Sequence, residues 1–206
     1  NIVSGKFSEN PERSQYLKIA IIMLISITCL SFVFQILQTS LPKTMDIRLS
    51  SSMDLSTSEI GYIVSAIYIV SGLMNYVGGI LADKFSEKII YAIGIVGQGC
   101  LLLLIISLSN YWLIILCLII VAFNSSILPA ENLLLARFAP EKYQSLVYGI
   151  KFIISFSVGP IALILISKSY ELTNEFSYLY LTSGVIMLLL FMVVLTLPVK
   201  KQTLAA

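Results

Sequence analysis

Two ionisable residues stand inside long apolar runs: Glu131 in Leu128-Pro129-Ala130-Glu131-Asn132, and Lys151 in Gly149-Ile150-Lys151-Phe152-Ile153. A charge set in a membrane-length apolar stretch costs about 2.5–3.5 kcal/mol on insertion scales, so it faces a cavity or a partner of opposite sign. Glu131 lies six positions before Arg137, about 9 Å deeper along a helix at 1.5 Å per residue. Lys151 lies a similar distance beyond the start of the next run near Ser145. Antiparallel neighbours joined by a short loop bring equal depths together, which predicts that Glu131 and Lys151 pair. Such a pair can exchange a proton at the carboxylate, open to bind a charged solute, or tie two helices together as a static ion pair. The residues alone leave all three open.

Uncharged polar residues punctuate the other runs: Gln35 and Gln38, three apart and so on one helix face, Tyr68 and Asn75, Gln98, and Asn124. Each is either a helix–helix hydrogen bond or a ligand contact. Histidine is absent, which removes Ser-His hydrolysis, Cys-His nucleophiles and nearly all zinc sites. Cys29, Cys100 and Cys117 lie in apolar runs without metal-ligand spacing and read as small hydrophobes. Gly94, Gly97 and Gly99 fall within an apolar run and read as close-packing positions, not a phosphate loop. No enzyme activity, metal or cofactor is expected. The net charge of +2 without a clustered basic face gives no sign of a nucleic-acid partner.

The elements that must position these residues follow from composition. Hydrophobic residues make up 58% and charged residues 12%, with a mean hydropathy of +0.95; soluble domains hold roughly half and a quarter. Crossing the hydrocarbon core takes about 20 predominantly apolar residues. The runs that qualify are Ile19–Leu41, Ile60–Leu81, Ile89–Leu108, Trp112–Leu135, Leu146–Ile166 and Tyr178–Leu197. They are continuous rather than alternating, which excludes barrel strands, and in lipid they must be helices. The expected class is therefore an all-α membrane protein of six transmembrane helices. Its expected divisions are a truncated linker (1–15), a transmembrane half-domain (16–199) and a tail (200–206). Tyr111-Trp112 and Tyr178–Tyr180 read as interfacial aromatic anchors.

An even number of spans puts both ends on one side. Lys6, Arg13, Lys18, Lys84, Lys88, Arg137, Lys142, Lys200 and Lys201 fall on that side, against Lys43, Arg48 and Lys168 on the other. The positive-inside rule then makes both termini cytoplasmic. A weak echo relates the first three spans to the last three. Phe34 through Leu41-Pro42 resembles Phe123 through Leu128-Pro129, and Ile67-Tyr68-Ile69-Val70-Ser71 resembles Lys151-Phe152-Ile153-Ile154-Ser155. Three spans reverse the chain's direction across the membrane, so the repeats would be inverted.

Between the second and third spans stands Gly79-Ile80-Leu81-Ala82-Asp83-Lys84-Phe85-Ser86-Glu87-Lys88. It resembles the Gly-x-Leu-Ala-Asp-Arg/Lys-x-Gly-Arg/Lys-Arg/Lys signature of the major facilitator superfamily, with Ser86 in place of the usual Gly and Glu87 in place of a basic residue. That erosion is like the second copy of the signature, which implies helices 7 to 12, the C-terminal six-helix half. Leu128 through Asn132, with Arg137, Ala139-Pro140-Glu141 and Tyr148-Gly149-Ile150-Lys151, is similar to the helix 10–11 junction of bacterial drug-efflux and fosmidomycin-resistance-type permeases. Gly78 and Gly79 would let two helix backbones approach closely. Asp83 would latch one conformation by accepting hydrogen bonds from a helix N-terminus or by pairing with Arg137, with Lys84 beside it.

The resemblance implies a secondary transporter that moves a small solute by alternating access, coupled to protons, in a bacterial inner membrane. In that fold the first, second, fourth and fifth spans here line the cavity, which makes Gln35, Gln38, Tyr68, Asn75 and Asn124 the expected cavity residues and leaves Gln98 outside. The expected partners are the solute, protons, the bilayer, and an N-terminal half or a second copy of the chain. Rival readings are a channel subunit, for which no pore loop or charge ring is visible, and a non-transporting scaffold or sensor, for which the loops are short.

Overall fold

Long apolar runs with short polar breaks can satisfy their backbone groups in lipid only by coiling, and among the described residues the regular structure is entirely helical. The structure, a computed structural model, describes residues 11–139 and 141–197. Residues 1–10 of the expected linker and the tail 200–206, with Lys6, Lys200 and Lys201, lie outside them. The helices are α1 (Pro11–Met53), α2 (Thr57–Lys84), α3 (Glu87–Leu104, continued by a 3-10 turn at Ile105–Ser107), α4 (Asn110–Phe138), α5 (Gln144–Thr173) and α6 (Ser177–Leu195). All 6 are long and apolar enough to cross a membrane, as the hydropathy pattern predicts.

Helix α1 departs most from its expected bounds. It holds 43 residues, about 64 Å at 1.5 Å per residue, twice a hydrocarbon core of about 30 Å. Residues 11–15, read from the sequence as linker, form its first turns; Pro11 suits a helix start because the N–H it lacks would have no partner there. The helix also runs through Leu41-Pro42, where the sequence suggests an end. Pro42 cannot donate to the Gln38 carbonyl, and that carbonyl accepts from the Tyr68 hydroxyl at 3.1 Å instead. Beyond it Leu41, Met45 and Leu49 recur every four residues, each fully buried, so packing carries the helix past the proline.

The other ends have local causes. Ser56 and Glu59 form a reciprocal capping box at the start of α2. Asn174 ends α5 in the left-handed conformation (φ 55°), which asparagine tolerates better than most residues.

Helix α2 packs on α4 and α1 on α5; α3 packs on α6 and α4, and α6 on α1. Exchanging α1, α2 and α3 for α4, α5 and α6 leaves this neighbour pattern unchanged. A serine pair also fastens each of two crossings. Ser71 of α2 bonds Ser125 of α4, and Ser155 of α5 bonds Ser31 of α1 at 2.7 Å. Ser71 and Ser155 are the positions that the sequence echo aligns. Behind this pairwise layer, α3 and α6 dock on α1 through tyrosine hydroxyls. Tyr91 meets Ser26 at 2.5 Å, and Tyr180 meets Ser40 at 3.0 Å and Thr44 at 2.6 Å. Tyr180 is fully buried and so is no interfacial anchor, while Tyr178, Tyr111 and Trp112 are exposed.

Candidate functional site

A cavity of about 320 Å³ opens between α1, α2, α4 and α5. Helix α1 contributes Leu30, Ser31, Phe34 and Gln35, and α2 contributes Asn75. Leu128, Glu131 and Asn132 come from α4, and Lys151, Phe152, Ser155 and Phe156 from α5. Helices α3 and α6 supply no lining residue, in keeping with their place behind the cavity.

The expected ionic pair is present. Lys151 Nζ lies 2.5 Å from Glu131 Oε2 and donates to Asn132 Oδ1 at 2.7 Å. Both charged residues are buried, with 2% exposure for Glu131 and 6% for Lys151. Glu131 Oε1 is shut off from solvent and has no hydrogen-bond partner among the described residues. The helix pair is reinforced one turn away, where the Tyr148 hydroxyl donates to the Asn132 carbonyl at 2.8 Å. The carboxylate thus keeps one oxygen able to accept a further bond, while the ammonium is engaged by two acceptors on α4.

The other expected cavity residues divide. Gln35 and Asn75 line the cavity, and the Gln35 amide lies against Gly159, where an added Cβ would come 2.7 Å from Nε2. Gln38 is exposed and is not a lining residue; Tyr68 spends its hydroxyl on the Gln38 carbonyl. Asn124 is buried in α4 at 8% exposure, outside the lining. The physical reason is helical phase: Gln35 turns toward α5, and Gln38, three residues on, lies at the edge of that face. Gln98 is fully buried in α3, with neither amide atom hydrogen-bonded among the described residues, and takes no part in the cavity.

At the end of the bundle carrying the α2–α3 turn, the ionic partners differ from those expected. Arg137 pairs with Glu87, not Asp83. Asp83 and Lys84 are exposed and make no side-chain hydrogen bond or ion pair among the described residues. Gly78 and Ala82 are buried on one face of α2, and Asp83, one residue further, is rotated about 100° away from it. Glu87 opens α3 beside α4, buried at 5% exposure, where a carboxylate also suits the helix N-terminus. Its neighbour Lys88 donates to the Leu195 carbonyl at 2.9 Å and to that of Leu197, closing the end of α6. The close α2–α4 approach belongs to Gly78, whose Cβ would sit 2.7 Å from Ser126 Cα; at Gly79 the nearest atom is Pro129 Cβ at 4.0 Å.

The opposite end holds a cluster that the sequence reading missed. Arg48 lies inside α1 at 9% exposure and grips Glu175 with two bonds of 3.0 Å. It also donates to the Ile105 carbonyl at 2.6 Å, the Leu108 carbonyl at 3.2 Å and Ser177 at 3.0 Å. One guanidinium thus joins α1 to the end of α3 and to the α5–α6 turn. The Arg48 hydrogen bond holds the Glu175 carboxyl below the usual carboxylate range, against the opposing effect of partial burial. The available signal was the four-residue spacing of Leu41, Met45 and Leu49, which continues α1 past Pro42 and makes Arg48 helical.

Six apolar helices, four of them lining a cavity with a buried ion pair, are the architecture of an integral membrane protein. The family described as Major Facilitator Superfamily matches residues 18–205, and the chain belongs to that superfamily: it is a transporter of the major facilitator type. Comparison with curated proteins finds no match.

Proposed function

We propose that the chain is one half of a secondary transporter that moves a small solute by alternating access, with proton coupling at Glu131. The observation that carries this reading is the cavity between α1, α2, α4 and α5, into which Glu131 and Lys151 bring the buried ionic pair of α4 and α5. Ionisable groups at membrane depth mark ion and substrate pathways, and Glu131 retains an unengaged carboxylate oxygen.

The reciprocal neighbour pattern supports two inverted three-helix repeats, the arrangement that places a site where repeats meet. Helices α2 and α5 are the least enclosed, with 17% and 28% of an apolar stretch of each buried against 39% to 56% for the others. We take their open faces as the side that meets a second six-helix body, either an N-terminal half or another copy. The distribution of basic residues favours cytoplasmic termini, and the resemblance to bacterial permeases favours a bacterial inner membrane.

The test is reconstitution into liposomes that enclose a pH-sensitive dye, screened with a library of small solutes. Solute-evoked, saturable proton movement is expected from the wild type, with loss of that movement in Glu131→Gln. Saturable uptake that ignores pH removes the proton role and leaves the carrier. Absence of saturable uptake for every solute removes the carrier.

A static role for the same pair is favoured by one observation: Lys151 also bonds Asn132, so it stitches α5 to α4 at two points. Full transport activity and pH dependence in Glu131→Gln would select that reading.

A further inference from the structure

The cavity makes two different demands on whatever enters it. Phe34, Phe152 and Phe156 supply an aromatic wall, with Phe152 and Phe156 stacked at 6.4 Å between ring centroids. Its polar part consists of the Gln35 and Asn75 amides, Ser31, Ser155, Asn132 and the Glu131–Lys151 pair. The two charges of that pair stand 2.5 Å apart, so their fields largely cancel a short distance away. The polar part of the cavity thus carries no net charge.

That cancellation discriminates between solutes. A cation nearing Glu131 also meets the Lys151 ammonium, and an anion nearing Lys151 also meets the Glu131 carboxylate. Either ion sheds its hydration for the attraction of a dipole, which does not offset the loss of water around a full charge. A neutral hydroxyl or amide loses far less on entry. It can donate to the free Glu131 Oε1 once the site relaxes around it, or exchange hydrogen bonds with the two amides, while its apolar body lies on the phenylalanines.

We infer that the cavity selects a net-neutral amphipathic solute, an apolar or aromatic body bearing a hydroxyl- or amide-like group, and that the Glu131–Lys151 pair is its charge filter. This rests on the proposed carrier reading for its biological meaning, though not for its measurement. Removing one member of the pair gives the site a net charge and inverts the selection. Glu131→Gln leaves Lys151 uncompensated and favours an anion; Lys151→Met leaves Glu131 uncompensated and favours a cation. The double variant is neutral again.

The experiment is equilibrium dialysis of the full chain in lipid nanodiscs against labelled 3-phenylpropanol, 3-phenylpropylamine and 3-phenylpropanoate, with protein-free discs subtracted. The wild type is expected to bind the alcohol at least tenfold more tightly than either ion. Glu131→Gln is expected to favour the carboxylate by at least tenfold, Lys151→Met to favour the amine, and the double variant to restore preference for the alcohol. Size-exclusion profiles verify folding, and a single variant that fails to fold leaves the other single and the double variant to decide. A wild type that prefers an ion or binds none of the three overturns the inference, as does an order of preference that neither charge removal changes. Because binding is read without a gradient, the selectivity can stand even if no solute is transported. Conversely, saturable transport of an ion by the wild type sinks the filter and leaves the carrier.

Discussion

Lys151 of α5 and Glu131 of α4 meet with 2.5 Å between Nζ and Oε2, in surroundings that leave neither more than 6% exposed. Breaking a buried pair from one side strands a charge, at a cost of about 3–5 kcal/mol. Glu131→Gln and Lys151→Met are each expected to lose stability on that scale in detergent-based unfolding, and the double variant to recover most of it. Additive losses in the double variant would show that the two residues act independently.

The α2–α4 crossing gives a prediction from backbone geometry. A Cβ on Gly78 would meet Ser126 Cα and its carbonyl oxygen at 2.7 Å, and backbone atoms cannot swing aside. Gly78→Ala is expected to destabilise by about 1–3 kcal/mol. Gly79→Ala, with its nearest neighbour at 4.0 Å, is expected to be neutral or to gain up to about 1 kcal/mol of helix propensity. Thermal unfolding of the two single variants checks the contrast, and similar losses at both positions would contradict the crossing.

Glu87, not Asp83, is the partner of Arg137. Glu87→Gln and Arg137→Gln are each expected to cost about 1 kcal/mol, the pair being partly solvated on the arginine side, and together no more than either alone. Asp83→Asn is expected to leave unfolding unchanged. A larger loss at Asp83 than at Glu87 would place the ionic contact of this end at Asp83 instead.

At the other end, Arg48 lowers the pKa of Glu175, so the folded protein takes up that proton less readily than the unfolded chain. The resulting stability is fully present above the unfolded glutamate value of about 4.3 and is lost as pH falls through the lower folded value. Between about pH 5 and pH 3, the melting temperature of the wild type is expected to fall more steeply than that of Glu175→Gln. Parallel acid slopes would remove Glu175 from the account.

Much of this arrangement was legible in the sequence. Continuous apolar runs specify six helices because lipid leaves the backbone no other choice, and equal depth in adjoining antiparallel runs brings Glu131 to Lys151. Of the expected cavity residues, Gln35 and Asn75 line the cavity described above, and Gln38, Tyr68 and Asn124 stand outside that lining. A helix's rotation about its own axis is set by packing, and an apolar helix with few polar residues records that rotation weakly. The ionic ends were the least legible. A proline about three-quarters of the way along α1 looked like an end because the acceptor it frees is served by Tyr68, a residue 30 positions away. Arg48 therefore looked like a loop charge. Asp83 drew attention as part of a signature, but Ala82 occupies the buried phase of α2, and Glu87 holds the place beside α4.

The serine pairs at the α2–α4 and α1–α5 crossings bear on how these helices could move. In each pair either hydroxyl can be the donor. A helical serine can also turn its proton to the carbonyl four residues back, as Ser40, Ser65 and Ser157 do here. Disengaging a crossing therefore need never strand a donor in hydrocarbon, where each unpaired group costs several kcal/mol. Fastened in this manner, two helices can part at their crossing and leave each hydroxyl proton with an acceptor on its own helix.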